Sequence, residues 1–211
     1  MRRWYPRLLV LLAFIAGGVA YGRLPARVPI HWDLHGRVNG WGSPAVAAFI
    51  MPCVLLLVWL LLVFIPRVDP LRANYDKFSD TYAFLVNLVV TFLFLAHLML
   101  LAAALGMHVD MARTSGMLLG LLFVGMGNVL PRARRNWFVG IRTPWTLSSD
   151  RVWERTHRVG GYLFTAAGVL AIIASLVGRA AGVPITLALA VAAGVGSAGY
   201  SYLVWRQEGA P

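Results

Sequence analysis

The sequence predicts an all-α integral membrane bundle of six transmembrane helices. Three observations carry that prediction. Hydrophobic residues make up 59% of the 211-residue chain and charged residues only 13%, with a mean hydropathy of +0.71. A soluble domain lies nearer roughly 45–50% apolar and about 25% charged. The apolar residues gather into six runs, and none of those runs contains Asp, Glu, Lys or Arg. Most are close to the ~20 residues that a ~30 Å hydrocarbon layer requires. A disordered tail, a collagen-like chain and an ordinary soluble enzyme are thereby excluded.

Taken in order, the first run is Leu8–Tyr21, preceded by Arg2, Arg3 and Arg7. It is short and ends in Gly17-Gly18-Val19-Ala20, so a cleaved signal peptide is the alternative to a first span. The second is Ala45–Ile65, closed by Pro66, and the third is Tyr82–Leu105. The fourth, Thr114–Leu130, is short and is closed by Pro131. The fifth and sixth are Gly161–Val177 and Pro184–Trp205. The chain divides into a two-span unit, residues 1–65, with an outer loop at 22–44; a connecting segment, 66–113, with the third span and a second outer loop; and a three-span unit, 114–211, with a loop at 131–160.

The net charge of +11 comes mostly from eighteen arginines and one lysine. With the N-terminus in the cytoplasm, fourteen of the nineteen basic residues fall in cytoplasmic segments. The positive-inside rule therefore predicts that both termini are cytoplasmic and that the basic segments meet the anionic lipid of a plasma membrane. No basic run outside the spans is interleaved with base-stacking aromatics, so direct nucleic-acid binding is not expected. The single cysteine, Cys53, cannot form an internal disulfide and reads as a small packing residue.

Polar residues within the spans include Asn87, Thr91, His97, Asn128, Ser175 and Ser197. Each reads first as an interhelical hydrogen bond. An ion- or proton-coupled transporter usually keeps an ionisable group near the midplane, and the spans hold no acid and no Lys or Arg. A small-molecule transporter or channel is thus a weaker alternative. Gly116 and Gly120 form a G-x-x-x-G pair, and Ala190, Gly194 and Ala198 repeat small residues every four; both patterns allow helices to approach closely.

Two loops hold most of the polar chemistry. The outer one runs Pro29 to Trp41, PIHWDLHGRVNGW. Asn39-Gly40 favours a tight turn, hence a short hairpin or an ordered re-entrant loop. If the segment is extended, His31, Asp33 and His35 share a face, and with His108 and Asp110 of the next outer loop they form a candidate zinc site. A membrane metalloprotein with zinc in the outer loops is the second alternative. The competing reading is that these residues order the loop while Trp32 and Trp41 anchor it at the interface. The inner loop, 131–160, is irregular through Gly140 and Pro144 up to Thr146. Ser148, Ser149 or Asp150 then caps an amphipathic helix over Asp150–Val159, with Val152, Trp153, Thr156 and Val159 on one face. Glu154 and Arg158 form an i, i+4 pair on its surface.

The stretch Asn136 to His157, NWFVGIRTPWTLSSDRVWERTH, resembles the hallmark of the SdpI-type bacterial immunity family, which is related to the immunity partner of a sporulation-delaying toxin. The outer stretch Pro29 to Trp41 resembles the small domain of unknown function that often precedes it. Together the resemblances cover residues 8–65 and 114–200. They imply a non-enzymatic membrane protein that protects its host from a membrane-active peptide toxin and signals by holding a cytoplasmic transcriptional repressor at the membrane. On this resemblance the inner-face residues are Asn136, Trp137, Gly140, Arg142, Thr143, Pro144, Trp145, Trp153 and His157. The outer-loop residues are Trp32, Gly36, Asn39, Gly40 and Trp41. As physical expectations, Arg142 would hold carbonyls or lipid phosphate, and Trp137, Trp145 and Trp153 would seat the loop at the interface.

Overall fold

The computed structural model describes residues 4–178 and 182–208; Arg2 and Arg3, which precede the first predicted span, lie outside the described residues. The chain is mostly helical: α1 (Tyr5–Tyr21), α2 (Pro44–Val68), α3 (Ser79–Ala104), α4 (Met111–Val129), a short α5 (Pro144–Ser148), α6 (Asp150–Val177) and α7 (Gly182–Gln207). Between α1 and α2 lies an antiparallel hairpin of β1 (Val28–Trp32) and β2 (Val38–Gly42). Five helical segments, containing α2, α3, α4, α6 and α7, are long and apolar enough to cross a membrane. At 17 residues α1 is shorter, and at 1.5 Å per residue it rises only about 25 Å. Outward side chains such as Leu57, Leu61, Phe64, Val191 and Val195 are exposed and apolar, as a lipid-facing belt requires.

The helices pack as two groups. α1, α2 and α3 form one; α4, α6 and α7 form the other, with α4 on α6 the most extensive contact. That contact is built on glycine. A Cβ on Gly120 would lie 2.8 Å from the Gly168 carbonyl oxygen, and one on Gly161 2.8 Å from that of Gly127. The Gly116/Gly120 pair thus meets a helix of the same chain. Gly194 of the other small-residue series faces open space.

Two prolines sit inside α2, and each removes the donor to the carbonyl four residues back. Pro66 frees the Leu62 carbonyl, which accepts instead from the Tyr82 hydroxyl of α3 at 2.5 Å. Pro52 frees the Ala48 carbonyl, against which α1 passes so closely at Gly17 that a side chain there would collide with it. Neighbouring helices thereby cover backbone that lipid could not satisfy.

Three expectations change. The hairpin turn is not at Asn39-Gly40, which lies within β2, but at residues 33–37. Asp33 decides this: its Oδ1 accepts from the backbone N–H of His35 (2.8 Å) and Arg37 (2.9 Å), and Gly36 takes φ +80°. The amphipathic helix expected over Asp150–Val159 is not a separate element; it forms the first turns of a continuous α6. Gly160-Gly161 does not interrupt it because both residues are buried by packing, Gly160 under Ile141 and Gly161 under Pro131. The segment from Pro144, read as irregular, winds into α5, capped by Thr143 with Pro144 in its first turn.

Candidate functional site

At one end of the bundle, residues 133–157 fold into a compact knot between α4 and α6. Asn136 shapes its first turn. It is fully buried, its Oδ1 accepts from Phe138 N (2.9 Å) and Val139 N (2.6 Å), and its Nδ2 donates to the carbonyls of Arg134 (2.8 Å) and Val139 (3.0 Å). Every polar valence of the amide is occupied. The turn leaves Trp137 and Phe138 pointing outward, 50% and 40% exposed.

Gly140 follows at φ +113°, a backbone conformation that favours glycine, and a Cβ there would collide with the His157 ring. His157 is fully buried. Its Nδ1 lies 2.8 Å from the Trp153 carbonyl, and Ile141 N–H donates to its Nε2 at 2.9 Å. A backbone N–H can only donate, so Nε2 is the acceptor and Nδ1 carries the proton. Trp153 stacks on this ring at 3.9 Å between centroids, and its Nε1 donates to the Ala133 carbonyl at 2.8 Å.

Arg142 Nη1 donates to the Trp137 carbonyl at 2.9 Å while the side chain stays exposed, bracing the turn that presents Trp137. Thr143 and Thr146 form a reciprocal capping box at the start of α5, and Thr143 Oγ1 reaches Ser201 of α7 at 3.1 Å. Trp145 packs against Tyr202 and Trp205 of the same helix. Charged pairs rim the knot: Arg134 with Glu154, Arg135 with Asp150 at 2.8 Å, and Arg151 with Glu208 at 3.2 Å. Glu154 therefore pairs across the knot with Arg134 rather than along its own helix.

A keystone of this site lies in the connecting segment, where the sequence offers no motif. Asp69 caps the end of α2 and is 2% exposed. Its Oδ1 accepts from Leu71 N at 2.7 Å; its Oδ2 accepts from Tyr75 OH and from Trp137 N, each at 2.9 Å. Asn74 donates to the Arg135 carbonyl at 2.8 Å. One signal was available. An acidic residue at a helix C-terminus faces the negative end of the dipole, so Asp69 after Val68 needs partners elsewhere.

At the opposite end, the hairpin residues do not assemble as the alternating pattern suggests. β1 ends at Trp32, Asp33 is committed to the turn, and His31 Nδ1 lies 2.5 Å from Asn39 Oδ1. The backbone N–H groups of Arg37, first, and His35 hold the Asp33 carboxyl below its usual value. His35 and His108 are exposed, and Asp110 caps α4 by accepting from Arg113 N. Among the described residues no three His, Cys, Asp or Glu side chains are grouped to hold a metal ion, so His31, Asp33, His35 and His108 are not brought together. Trp41 is half exposed under Arg27, whose guanidinium lies 5.1 Å from the ring centroid. Trp32 instead roofs a pocket with Ile30, and Gly36 closes against Ala112 of α4, where a Cβ would lie 2.9 Å from the backbone nitrogen. Gly40 is equally constrained, by His31 across the hairpin.

Five long apolar helices, a structured hairpin at one end and a hydrogen-bonded knot at the other define a multi-pass membrane protein of the plasma membrane. Residues 132–201 match the SdpI/YfhL protein family, and residues 8–56 match a domain of unknown function, DUF1648. The knot of residues 133–157 lies wholly within the stretch that matches the SdpI/YfhL family. The chain is also 26% identical over 174 residues to the immunity protein SdpI of Bacillus subtilis (strain 168), covering 82% of this chain and 81% of that protein. No solved structure matches the chain.

Proposed function

We propose that this protein confers immunity to a membrane-active peptide toxin. One observation carries the reading: the similarity to an immunity protein runs over 82% of the chain, so it takes in the knot and most of the bundle. In this reading α1 is a sixth span, both termini are cytoplasmic, the hairpin faces outward and the knot faces inward. The charge distribution supports that orientation. Asn136, Gly140, Thr143, Pro144, Trp145, Trp153 and His157 act as scaffold, because their side chains or backbones are consumed in holding the knot. Trp137, Phe138 and Arg142 are what the scaffold presents, and they meet a cytoplasmic partner, a transcriptional repressor held at the membrane while toxin is present.

The test is protection of a host sensitive to a sporulation-delaying-type peptide, followed by membrane potential after challenge. Cells with wild-type protein keep their potential. With equal membrane insertion, Trp137→Ala plus Phe138→Ala loses recruitment of the cytoplasmic partner but retains insertion and folding. Collapse of potential in wild-type cells overturns the immunity reading, and partner recruitment that is unchanged in the double variant overturns the role of the inner face.

A further inference from the structure

The hairpin roofs a pocket of about 280 Å³ at its end of the bundle. Three of the chain's seven methionines line it, one from each of α2, α3 and α4: Met51, Met99 and Met111. His31 of β1 and Asp33 of the turn line it as well. The Ser115 hydroxyl donates to Met99 Sδ at 4.0 Å, which places this sulfur at the wall that the two residues share. A thioether is an uncharged, polarisable donor, and such soft sulfur selects Cu(I) among the biological metals. Zinc needs four ligands drawn from thiolate, imidazole and carboxylate. Here the lining offers one imidazole and one carboxylate, so the donor set is that of a soft ion.

His31 is prepared as a ligand. Its Nδ1 lies 2.5 Å from Asn39 Oδ1, a carbonyl oxygen that only accepts, so Nδ1 carries the proton and Nε2 keeps its lone pair. A metal-ligating histidine characteristically donates its other ring N–H in this way, which fixes the tautomer and the ring orientation. The base of the side chain is held too: a Cβ on Gly40 of the paired strand would lie 2.7 Å from His31 Cβ. The ladder register shifts on both sides of His31, and bulges of this kind re-aim side chains beside binding sites. Asp33 supplies negative charge. The backbone N–H groups of Arg37 and His35 keep its carboxyl ionised, and the side chains of the same two residues offset part of that charge. The partial counter-charge suits a monovalent cation better than a divalent one.

We propose that this pocket binds a single Cu(I) ion, with the sulfurs of Met51, Met99 and Met111 and Nε2 of His31 as its ligands. Each thioether swings on an unbranched, rotatable arm, and the arms close on the ion. Bound there, the ion ties β1 to α2, α3 and α4 and fastens the hairpin to the bundle. The site is independent of the immunity reading.

Metal titration tests it. The Cys53→Ala variant, which removes the chain's one thiol, is placed in phosphatidylcholine nanodiscs. It is titrated with Cu(I), kept reduced by ascorbate, against a chromophoric Cu(I) chelator. The protein takes up one equivalent, and X-ray absorption at the copper edge shows a first shell dominated by sulfur. In the same background Met99→Leu plus Met111→Leu, which nearly conserves volume, weakens binding by roughly thirtyfold or more. Met117→Leu plus Met126→Leu, outside the pocket lining, leaves it unchanged. Asn39→Ala touches no ligand atom but frees the His31 ring, and it weakens binding about tenfold. A first shell of nitrogen and oxygen alone, or equal affinity with and without Met99 and Met111, overturns the proposal. So does the absence of stoichiometric uptake, the result expected if a lipid acyl chain fills the pocket. Should the Met99 and Met111 double variant lose its helical circular dichroism, unchanged affinity in a folded Asn39→Ala protein overturns the assignment of His31.

Discussion

Replacing Asp69 by Asn removes one oxygen acceptor while preserving shape. Three donors converge on this carboxylate: Leu71 N on one oxygen, Tyr75 OH and Trp137 N on the other. An amide offers one acceptor. If its oxygen faces Tyr75 and Trp137, its NH2 group opposes the Leu71 N–H; if it is reversed, two donors are lost. The better orientation leaves one donor unsatisfied, at about 1–3 kcal/mol, and the remaining bonds lose their charge assistance, worth about 1 kcal/mol more. The expected local destabilisation is about 2–4 kcal/mol. At 1.4 kcal/mol per tenfold, amide exchange at Trp137 accelerates about 30- to 700-fold. Hydrogen exchange on protein in nanodiscs reads this directly, with the amides of α7 as an internal reference. Acceleration below threefold at Trp137, with α7 unchanged, would refute the claim that Asp69 holds the knot to α2.

Further outcomes follow from the same geometry. Gly140→Ala combines an unfavourable positive φ with a collision against His157, and it should cost about 2–4 kcal/mol in reversible unfolding; a loss under about 0.5 kcal/mol, the range of ordinary surface changes, contradicts this. Tyr82→Phe strands the Leu62 carbonyl that Pro66 has already deprived of its helical donor, and it should cost about 1–3 kcal/mol. Tyr162→Phe, at an exposed tyrosine, is the control and should be neutral in the same unfolding assay; equal effects from the two changes would count against the Tyr82 bond. The Asp33 carboxyl titrates below its usual value of 3.8 in the folded hairpin. Its contribution to the turn is therefore complete above the unfolded pKa and is lost as pH falls through the lowered folded value. The amide shifts of His35 and Arg37 should titrate together with a midpoint under 3.8 and lose that transition in Asp33→Asn; a midpoint at or above 3.8 is the opposing result.

The spans were legible because lipid imposes length and apolarity on them directly: α2 and α3 declare themselves by composition. The hairpin turn was not, because Asn39-Gly40 is the stronger local turn signal and only the side chain of Asp33, capping two amides, outweighs it. The continuity of α6 was hidden for a related reason. Gly160-Gly161 looks like a break in isolation and becomes a packing surface once Ile141 and Pro131 lie on it. Within the knot, the residue string from Asn136 to His157 marks the place, but not the division of labour. Asn136 and His157 are interior fasteners, whereas Trp137 and Phe138 are the surface. For Asp69 the helix-end position signalled a need for partners but not which ones, because Trp137 is distant in sequence.

The freed carbonyls of α2 bear on how the protein is made. Emerging alone into lipid, α2 would carry two backbone oxygens without donors, each costing several kcal/mol in hydrocarbon. The Ala48 oxygen is covered by α1, which is synthesised earlier, but the Leu62 oxygen waits for Tyr82, which is synthesised later. The Leu62 oxygen is therefore satisfied only once α3 lies beside α2, so the pairing of these two helices has a polar reason as well as an apolar one.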